Sequence, residues 1–303
     1  MSELPEHLAG VSDVDCTGLQ ALVTGSTSGI GRAAALALGL LGADVIVHGR
    51  DQQSGAEVVD ELSESGAEAT FFEADFADVE AVRTLATAVG DSTDGLDLLI
   101  NNAGGLFRNG AVTDAGIEYT FHVNHLSPYL LTAELLAHLR ADARVVTTAS
   151  SAHRGTSLDL DRVETVDGHS GTWAYSHSKL ANVLFAAELA RRLDDAGRSV
   201  LSNSVHPGAI PGSGFSRFLP GPLPALVKPL SALPGVATVA DGAAELLFPA
   251  VSPRTADVSG RYFAGQQTAT PTQAARDRDA ARRLWTYSAD VLDIDTPLDG
   301  ADG

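Results

Sequence analysis

Short apolar runs alternate with longer amphipathic stretches along the first two thirds of the chain. Leu19–Val23, Asp44–His48, Ala69–Phe72, Leu96–Ile100, Arg144–Thr148 and Val200–Val205 are compact segments, most of them rich in Val, Ile and Leu. Short continuous runs of this kind read as strands buried on both faces. Between them, Ile30–Leu41, Gln53–Ser65, Val79–Val89, Ala115–Leu139 and Thr172–Asp195 carry the longer period of helices. Such alternation predicts a parallel sheet covered by helices on both faces, with right-handed crossovers. The expected fold class is a single doubly wound α/β domain of the Rossmann type, with about seven parallel strands. It should span residues 18–290, between an N-terminal tail (1–17) and an acidic C-terminal tail (291–303). The segment Pro207–Pro234 is too dense in Pro and Gly for one regular element. Residues 207–236 therefore read as a lid or loop. Its Phe215, Phe218, Leu219 and Leu223 suit an apolar substrate.

Composition narrows the setting. Of 303 residues, 39 are acidic and 20 basic, a formal net charge of −19. Such a chain repels nucleic acid and anionic membrane surfaces, so neither is an expected partner. Cys16 is the single cysteine, which excludes an internal disulfide framework and a multi-cysteine zinc site. The longest uncharged apolar stretch, Ala33–Ala43, falls well short of the roughly 20 residues that span a bilayer. The first residues carry acids where a secretory signal needs bases. A cytoplasmic protein is expected. Lysine occurs only at Lys179 and Lys228, and Asp outnumbers Glu. That bias suits a salt-rich cytoplasm, where screening removes the self-repulsion of an acidic surface.

One strand-helix junction carries chemistry. The run Leu19–Val23 leads into Thr24-Gly25-Ser26-Thr27-Ser28-Gly29-Ile30-Gly31, and a helix follows. Glycines there let the backbone turn tightly and approach a pyrophosphate, which the N–H groups at the helix start then bind. Gly25, Ser26, Ser28, Gly29, Ile30 and Gly31 are the candidate cradle. The second strand runs out into His48-Gly49-Arg50. An acid near this strand end suits the ribose hydroxyl of NAD, whereas an arginine suits the 2′-phosphate of NADP. Arg50 points to NADP(H) rather than NAD(H).

Tyr175 and Lys179 form a Tyr-x3-Lys pair on one face of a helix. With 5 Tyr and the two Lys in 303 residues, that spacing arises by chance about 0.03 times. An ammonium near a phenol favours the phenolate, so Lys179 is expected to lower the pKa of Tyr175 towards a useful general acid/base. Either Ser150 or Ser151 could supply the hydroxyl beside them. His122 and His125 are three apart, but no third ligand is evident, so no metal is expected. His177, inside the Tyr-x3-Lys motif, reads as a helix-surface residue off the catalytic face.

These motifs resemble the short-chain dehydrogenase/reductase family. The glycine-rich turn fits its Thr-Gly-x3-Gly-x-Gly pattern, and Asn101-Asn102-Ala103-Gly104 fits its Asn-Asn-Ala-Gly motif. Asp75 stands where the family has an acid near the adenine, with Phe76 beside it. Pro207-Gly208 fits the Pro-Gly after the sixth strand. The likeness covers about Gly18 to Trp285. It implies Ser151, the second of the two serines, as the residue holding the substrate oxygen. It also implies Tyr175 as the proton-exchanging group, Lys179 on the nicotinamide ribose, and Asn124 linking Lys179 to a water relay. Asn102, Ala103, Gly104, Pro207, Gly208, Ile210 and Ser213 join the cofactor set; Ser213 stands in for a hydroxyl that the family often has where this chain has Gly212.

The long gap from Ser151 to Tyr175, with His122–Thr132 and Ser176–Asn182, resembles the retinol dehydrogenase and protochlorophyllide reductase branch. The expected activity is NADP(H)-dependent interconversion of an alcohol and a ketone or aldehyde on a lipophilic small molecule. Reduction of a conjugated C=C bond is the competing chemistry, and a non-catalytic NADP-binding regulator is the competing class. A homo-oligomer, dimer or tetramer, is also expected.

Overall fold

The computed structural model describes residues 4–107, 110–168, 170–208, 210 and 237–299. Eight strands form one sheet: β1 Gln20–Val23, β2 Asp44–Gly49, β3 Ala69–Glu73, β4 Leu96–Asn101, β5 Leu139–Thr148, β6 Leu201–His206, β7 Tyr262–Ala264 and β8 Thr268–Ala269. Their order is β3-β2-β1-β4-β5-β6-β7-β8. All neighbours run parallel except β7 and β8. The expected doubly wound sheet is present, with a short antiparallel strand added at the edge. The order reverses between β1 and β4, and in such sheets the crevice outside the carboxyl ends at that point holds the ligand.

The helices are α1 Pro5–Leu8, α2 Gly29–Leu40, α3 Gln52–Glu64, α4 Val79–Ser92, α5 Tyr119–Phe121, α6 Ser127–Leu135 and α7 Gly171–Asp195; beyond the lid region lie α8 Val239–Val251 and α9 Arg278–Leu292. One buried cluster, from Leu22 and Leu99 to Leu130, Leu184 and Trp285, packs α4, α6, α7 and α9 on one sheet face. A second, from Val23 and Ile100 to Leu38, Val58 and Leu247, packs α2, α3 and α8 on the other. Two-sided burial explains why Ala21–Val23 of β1 and Leu98–Ile100 of β4 are apolar.

Three expectations change. The long helix placed over Ala115–Leu139 starts only at Tyr119, passes through a π-helical turn at His122–Leu126, and gives way to β5 at Leu139. The N-terminal tail is not loose: α1 docks beside α8, and Ala9, Val11 and Cys16 are fully buried. The acidic C-terminus is likewise engaged. Trp285 on α9 donates from Nε1 to the Pro297 carbonyl at 3.1 Å, and Arg192 donates to Asp299 at 2.5 Å. Apolar partners outweigh the charge there: Trp285 stacks on Phe185 of α7 at 5.7 Å and meets Tyr129 of α6 at 5.0 Å. The lid expected over 207–236 falls almost wholly outside the described residues.

Candidate active site

The carboxyl ends of β1, β4, β5 and β6 bring the motifs together. At the end of β1 the chain turns through Gly25 and Gly29, both with positive φ (66° and 59°) that favours glycine. A Cβ on Gly31 would lie 2.4 Å from the Asn102 amide and from the Gly25 carbonyl, so the turn closes only with glycine there. Asn102 in turn donates to the Thr24 carbonyl at 2.9 Å, and Thr24 Oγ1 accepts from Asn102 and Ala103 main-chain N–H groups at 2.9 and 3.0 Å. The first-turn N–H groups of α2 receive no side-chain cap from Ser28, whereas α3, α4, α7, α8 and α9 are all capped by side chains. A helix start left open in this way suits an anionic group.

Ser26 does not belong to that cradle. Its side chain is fully buried, donates to the Val23 carbonyl at 2.7 Å and accepts from His48 N–H at 3.0 Å. Its own N–H is used by the His48 carbonyl at 2.9 Å. The Phe76 side chain also turns inward, 3% exposed and stacked on His48. Ile30 and Ile210 both approach Gly242 of α8, where an added Cβ would come within 3.1 Å and 2.2 Å of them. Pro207 is buried and Gly208 has φ +94°. Ser213 lies outside the described residues. At the β2 end, the largely exposed Arg50 guanidinium lies 3.5 Å from the Asp75 carboxylate and from the Tyr119 hydroxyl. Both sequence candidates at this end therefore share one spot. Arg32 is committed to Glu61 of α3.

The reacting cluster sits where β5 ends. Lys179 is 3% exposed, and its Nζ donates to the Thr148 carbonyl at 2.9 Å and stands 5.8 Å from the centroid of the Tyr175 ring. Burial brings its pKa down to about 8. Asn182, one turn on, donates to the same carbonyl at 3.0 Å. Tyr175 hydrogen-bonds the side chain of Ser150, not that of Ser151. Ser150 is buried at 9%, whereas Ser151 is exposed and opens a 3-10 turn. Of the two serines, Ser150 rather than the expected Ser151 is therefore the one placed beside Tyr175; its Oγ also accepts from Ala152 N–H at 3.2 Å, capping the turn.

The expected depression of the Tyr175 pKa is not found either. Burial raises it, and the Ser150 hydroxyl only partly offsets that. The ammonium is held by Thr148 rather than by the phenol. Asn124 lies in the π-helical turn, donating to the Gly105 carbonyl and to Ser178 Oγ, each at 2.9 Å, and accepting from Gly105 N–H at 2.8 Å. It makes no direct bond to Lys179.

Two histidines brace this site. His153 contributes Nδ1 at 2.6 Å from the Ser150 carbonyl and packs against Tyr262. His177 is not on the surface: it is 1% exposed, stacks on Trp173 at 4.7 Å and accepts from Asp159 N–H at 2.9 Å. Among the described residues, no group of three or more His, Cys, Asp or Glu could hold a metal, and no helix is long and apolar enough to cross a membrane.

A switch-point sheet with a glycine-rich phosphate turn and a Ser-Tyr-Lys cluster defines a nucleotide-binding oxidoreductase. The family profile of the short chain dehydrogenases matches residues 20–217, and the chain belongs to that family. Within it, the chain is a member of the retinol dehydrogenase-like branch. It is 40% identical over 277 residues to dehydrogenase/reductase SDR family member 13 of Bos taurus, covering 89% of this chain and 72% of that protein. It is 36% identical over 291 residues to human retinol dehydrogenase 14, covering 89% and 85%. The crystal structure of a short chain dehydrogenase from Burkholderia cenocepacia in complex with NADP superposes with a TM-score of 0.65 at 28% identity, covering 82% of this chain and 96% of that one.

Proposed function

We propose that the protein is an NADP(H)-dependent oxidoreductase that interconverts an alcohol and a ketone or aldehyde on a lipophilic small molecule. The observation that carries this reading is the Ser150–Tyr175 hydrogen bond beside the buried Lys179, at the carboxyl edge of the sheet. The glycine-rich turn, Arg50 and Asp75 would hold the coenzyme, which when bound would supply the hydride to a carbonyl carbon, or accept one from the alcohol in the reverse direction. In the reductive direction the Ser150 hydroxyl holds the substrate oxygen. Tyr175 gives that oxygen its proton as the hydride arrives. A phenol kept protonated by burial is matched to this donor role. The Lys179 ammonium, close to the ring, stabilises the phenolate left behind. Asn124 holds the Gly105 backbone and Ser178 in place across the cleft.

For the coenzyme, Arg50 supports NADP(H): a 2′-phosphate can take the guanidinium that Asp75 now shares at 3.5 Å. Asp75 can accept from the adenine side. The NADP complex of the structural relative supports the same choice. The name of retinol dehydrogenase 14 supports a lipophilic alcohol as the substrate class. We also propose that the protein works in the cytoplasm as a homo-oligomer. Because α9 lies over α6 and α7, a second copy approaching those helices meets α9 first.

The test is coenzyme binding by fluorescence, NADPH against NADH, with wild type and Arg50→Ala. Tight NADPH binding that weakens at least tenfold in the variant, with NADH unchanged, is expected. Equal or tighter NADH binding by the wild type would overturn the NADP(H) assignment. A carbonyl screen with NADPH then tests turnover, and Tyr175→Phe should abolish it while leaving NADPH bound.

A further inference from the structure

His48 is not called on by the mechanism above, yet it touches three of the segments that frame the coenzyme's adenosine-phosphate end. It is the next-to-last residue of β2 and is 2% exposed. Its Nδ1 accepts from the Gly25 N–H of the glycine-rich turn at 3.2 Å. Its Nε2 lies 3.2 Å from the Ala74 carbonyl, immediately before Asp75. A carbonyl only accepts and an amide N–H only donates, so a single neutral tautomer, Nε2–H with a lone pair on Nδ1, satisfies both partners. The ring stacks on Phe76 at 4.5 Å, with 25° between the planes. The backbone repeats the tie: His48 and Ser26 exchange hydrogen bonds, Ser26 N–H to the His48 carbonyl at 2.9 Å and His48 N–H to Ser26 Oγ at 3.0 Å. Two residues further on stands Arg50.

We propose that His48 is a positioning residue for coenzyme binding, in which one imidazole fixes the glycine-rich turn, the Arg50 strand end and the Asp75 loop relative to one another. This rests on the reading of the site as an NADP(H) site. Gly25 has φ +66° and sits at the entry to the turn, where a Cβ would come within 2.8 Å of the Ala103 backbone. The direction of its N–H therefore sets the path of the loop that leads to the helix start. The Ala74 carbonyl, held from the other ring nitrogen, sets where Asp75 leaves β3. Burial keeps the ring neutral by bringing its pKa down to about 4, so this tautomer persists across the neutral range.

A phenyl ring at this position keeps the stacking and the volume but loses both polar ends. An asparagine places Oδ1 near the site of Nδ1 and can still accept from Gly25 N–H. A glutamine places its amide N–H near the site of Nε2–H and can reach only Ala74. The experiment measures NADPH and NADH dissociation constants by fluorescence on the full chain, for wild type and for His48→Phe, His48→Asn and His48→Gln. His48→Phe is expected to weaken both coenzymes by about the same factor, on the order of tenfold for the lost hydrogen bond to the Gly25 turn. Arg50→Ala, by contrast, should weaken NADPH alone. His48→Asn should recover binding to within about threefold of wild type, because it keeps the acceptor facing the turn. His48→Gln should not recover it.

Wild-type affinity in His48→Phe would overturn the proposal while leaving the NADP(H) reading intact. So would equal or better binding by His48→Gln than by His48→Asn, and that comparison decides the matter if His48→Phe does not fold. A wild type that binds neither coenzyme would overturn the proposal and the NADP(H) reading together.

Discussion

Lowering the pH from 7.5 to 5.5 should cost this protein a large part of its stability, because burial holds several imidazoles in the neutral form, those of His48, His122 and His125 most strongly. Burial brings the pKa of His48 and His122 down to about 4 and that of His125 to about 3. His125 is packed among Phe121, Tyr129 and Phe185, with Ser288 Oγ at 3.1 Å from its Nε2. His122 has Thr113 Oγ1 at 2.7 Å from Nδ1. In the unfolded chain each titrates near 6.5. Between that value and the folded one, the unfolded state binds protons that the native state refuses, so stability is full above pH 6.5 and falls with pH. The complete shift is worth about 3 kcal/mol each for His48 and His122 and about 5 for His125. At pH 5.5 only part of this is felt, roughly 4 kcal/mol for the three together. That is a substantial share of a typical 5–15 kcal/mol.

The opposing effect is the relief of self-repulsion as carboxylates take up protons. The measurement therefore belongs in about 1 M KCl, where the screening length is near 3 Å. Urea unfolding at half-unit steps from pH 8 to 5 gives the slope, expected to approach about 4 kcal/mol per pH unit at the acid end. Substituting His125 by Leu should remove about a third of that slope, whatever it does to stability at pH 8. A change below about 1 kcal/mol between pH 7.5 and 5.5 would refute the reasoning.

Other outcomes follow from the site and the core. Ser150→Ala should lower kcat by about 10² or more, in line with the usual worth of a positioned proton-transfer or oxyanion group, whereas Ser151→Ala should stay within about twofold of wild type; steady-state rates on any accepted carbonyl decide between them. Trp285→Ala should cost about 3–5 kcal/mol, read by urea unfolding, because the indole fills the seam between α6 and α7 and its N–H is satisfied by Pro297. The melting temperature should rise from dilute buffer to molar KCl if the net charge of −19 is an adaptation to salt; no rise would remove that reading.

Much of this was legible in the chain because β1 and β4 are apolar on both faces and the motif residues sit at strand ends, where periodicity stops. The parallel sheet, the Tyr175–Lys179 face and Arg50 at the end of β2 all came from such local signals, whereas Asp75 came from the family resemblance and its contact with Arg50 only from the structure. What stayed hidden depended on contacts distant in sequence. Ser150 and Ser151 are equivalent as chemistry, and only the 3-10 turn that exposes Ser151 separates them. Ser26 reads as a phosphate ligand until His48, 22 residues away, takes its main-chain N–H and donates to its hydroxyl, whose own proton goes to the Val23 carbonyl. The segment Arg278–Leu292 shows its amphipathic face, but nothing local says that Trp285 will close over Phe185, a hundred positions earlier. The π-helical turn leaves no simple signature in His122-Val123-Asn124-His125-Leu126.

The position of α9 also has a consequence for the order in which the protein becomes competent. α7, which bears Tyr175 and Lys179, leaves the ribosome long before the segment that shields its flank. Until Arg278–Leu292 emerges, Tyr129, Phe185 and their neighbours face water on a nearly finished domain. A nascent chain at that stage is a natural client for a holding chaperone. A ribosome stalled between α8 and α9 would release a product with its catalytic residues complete and its outer seam still sticky.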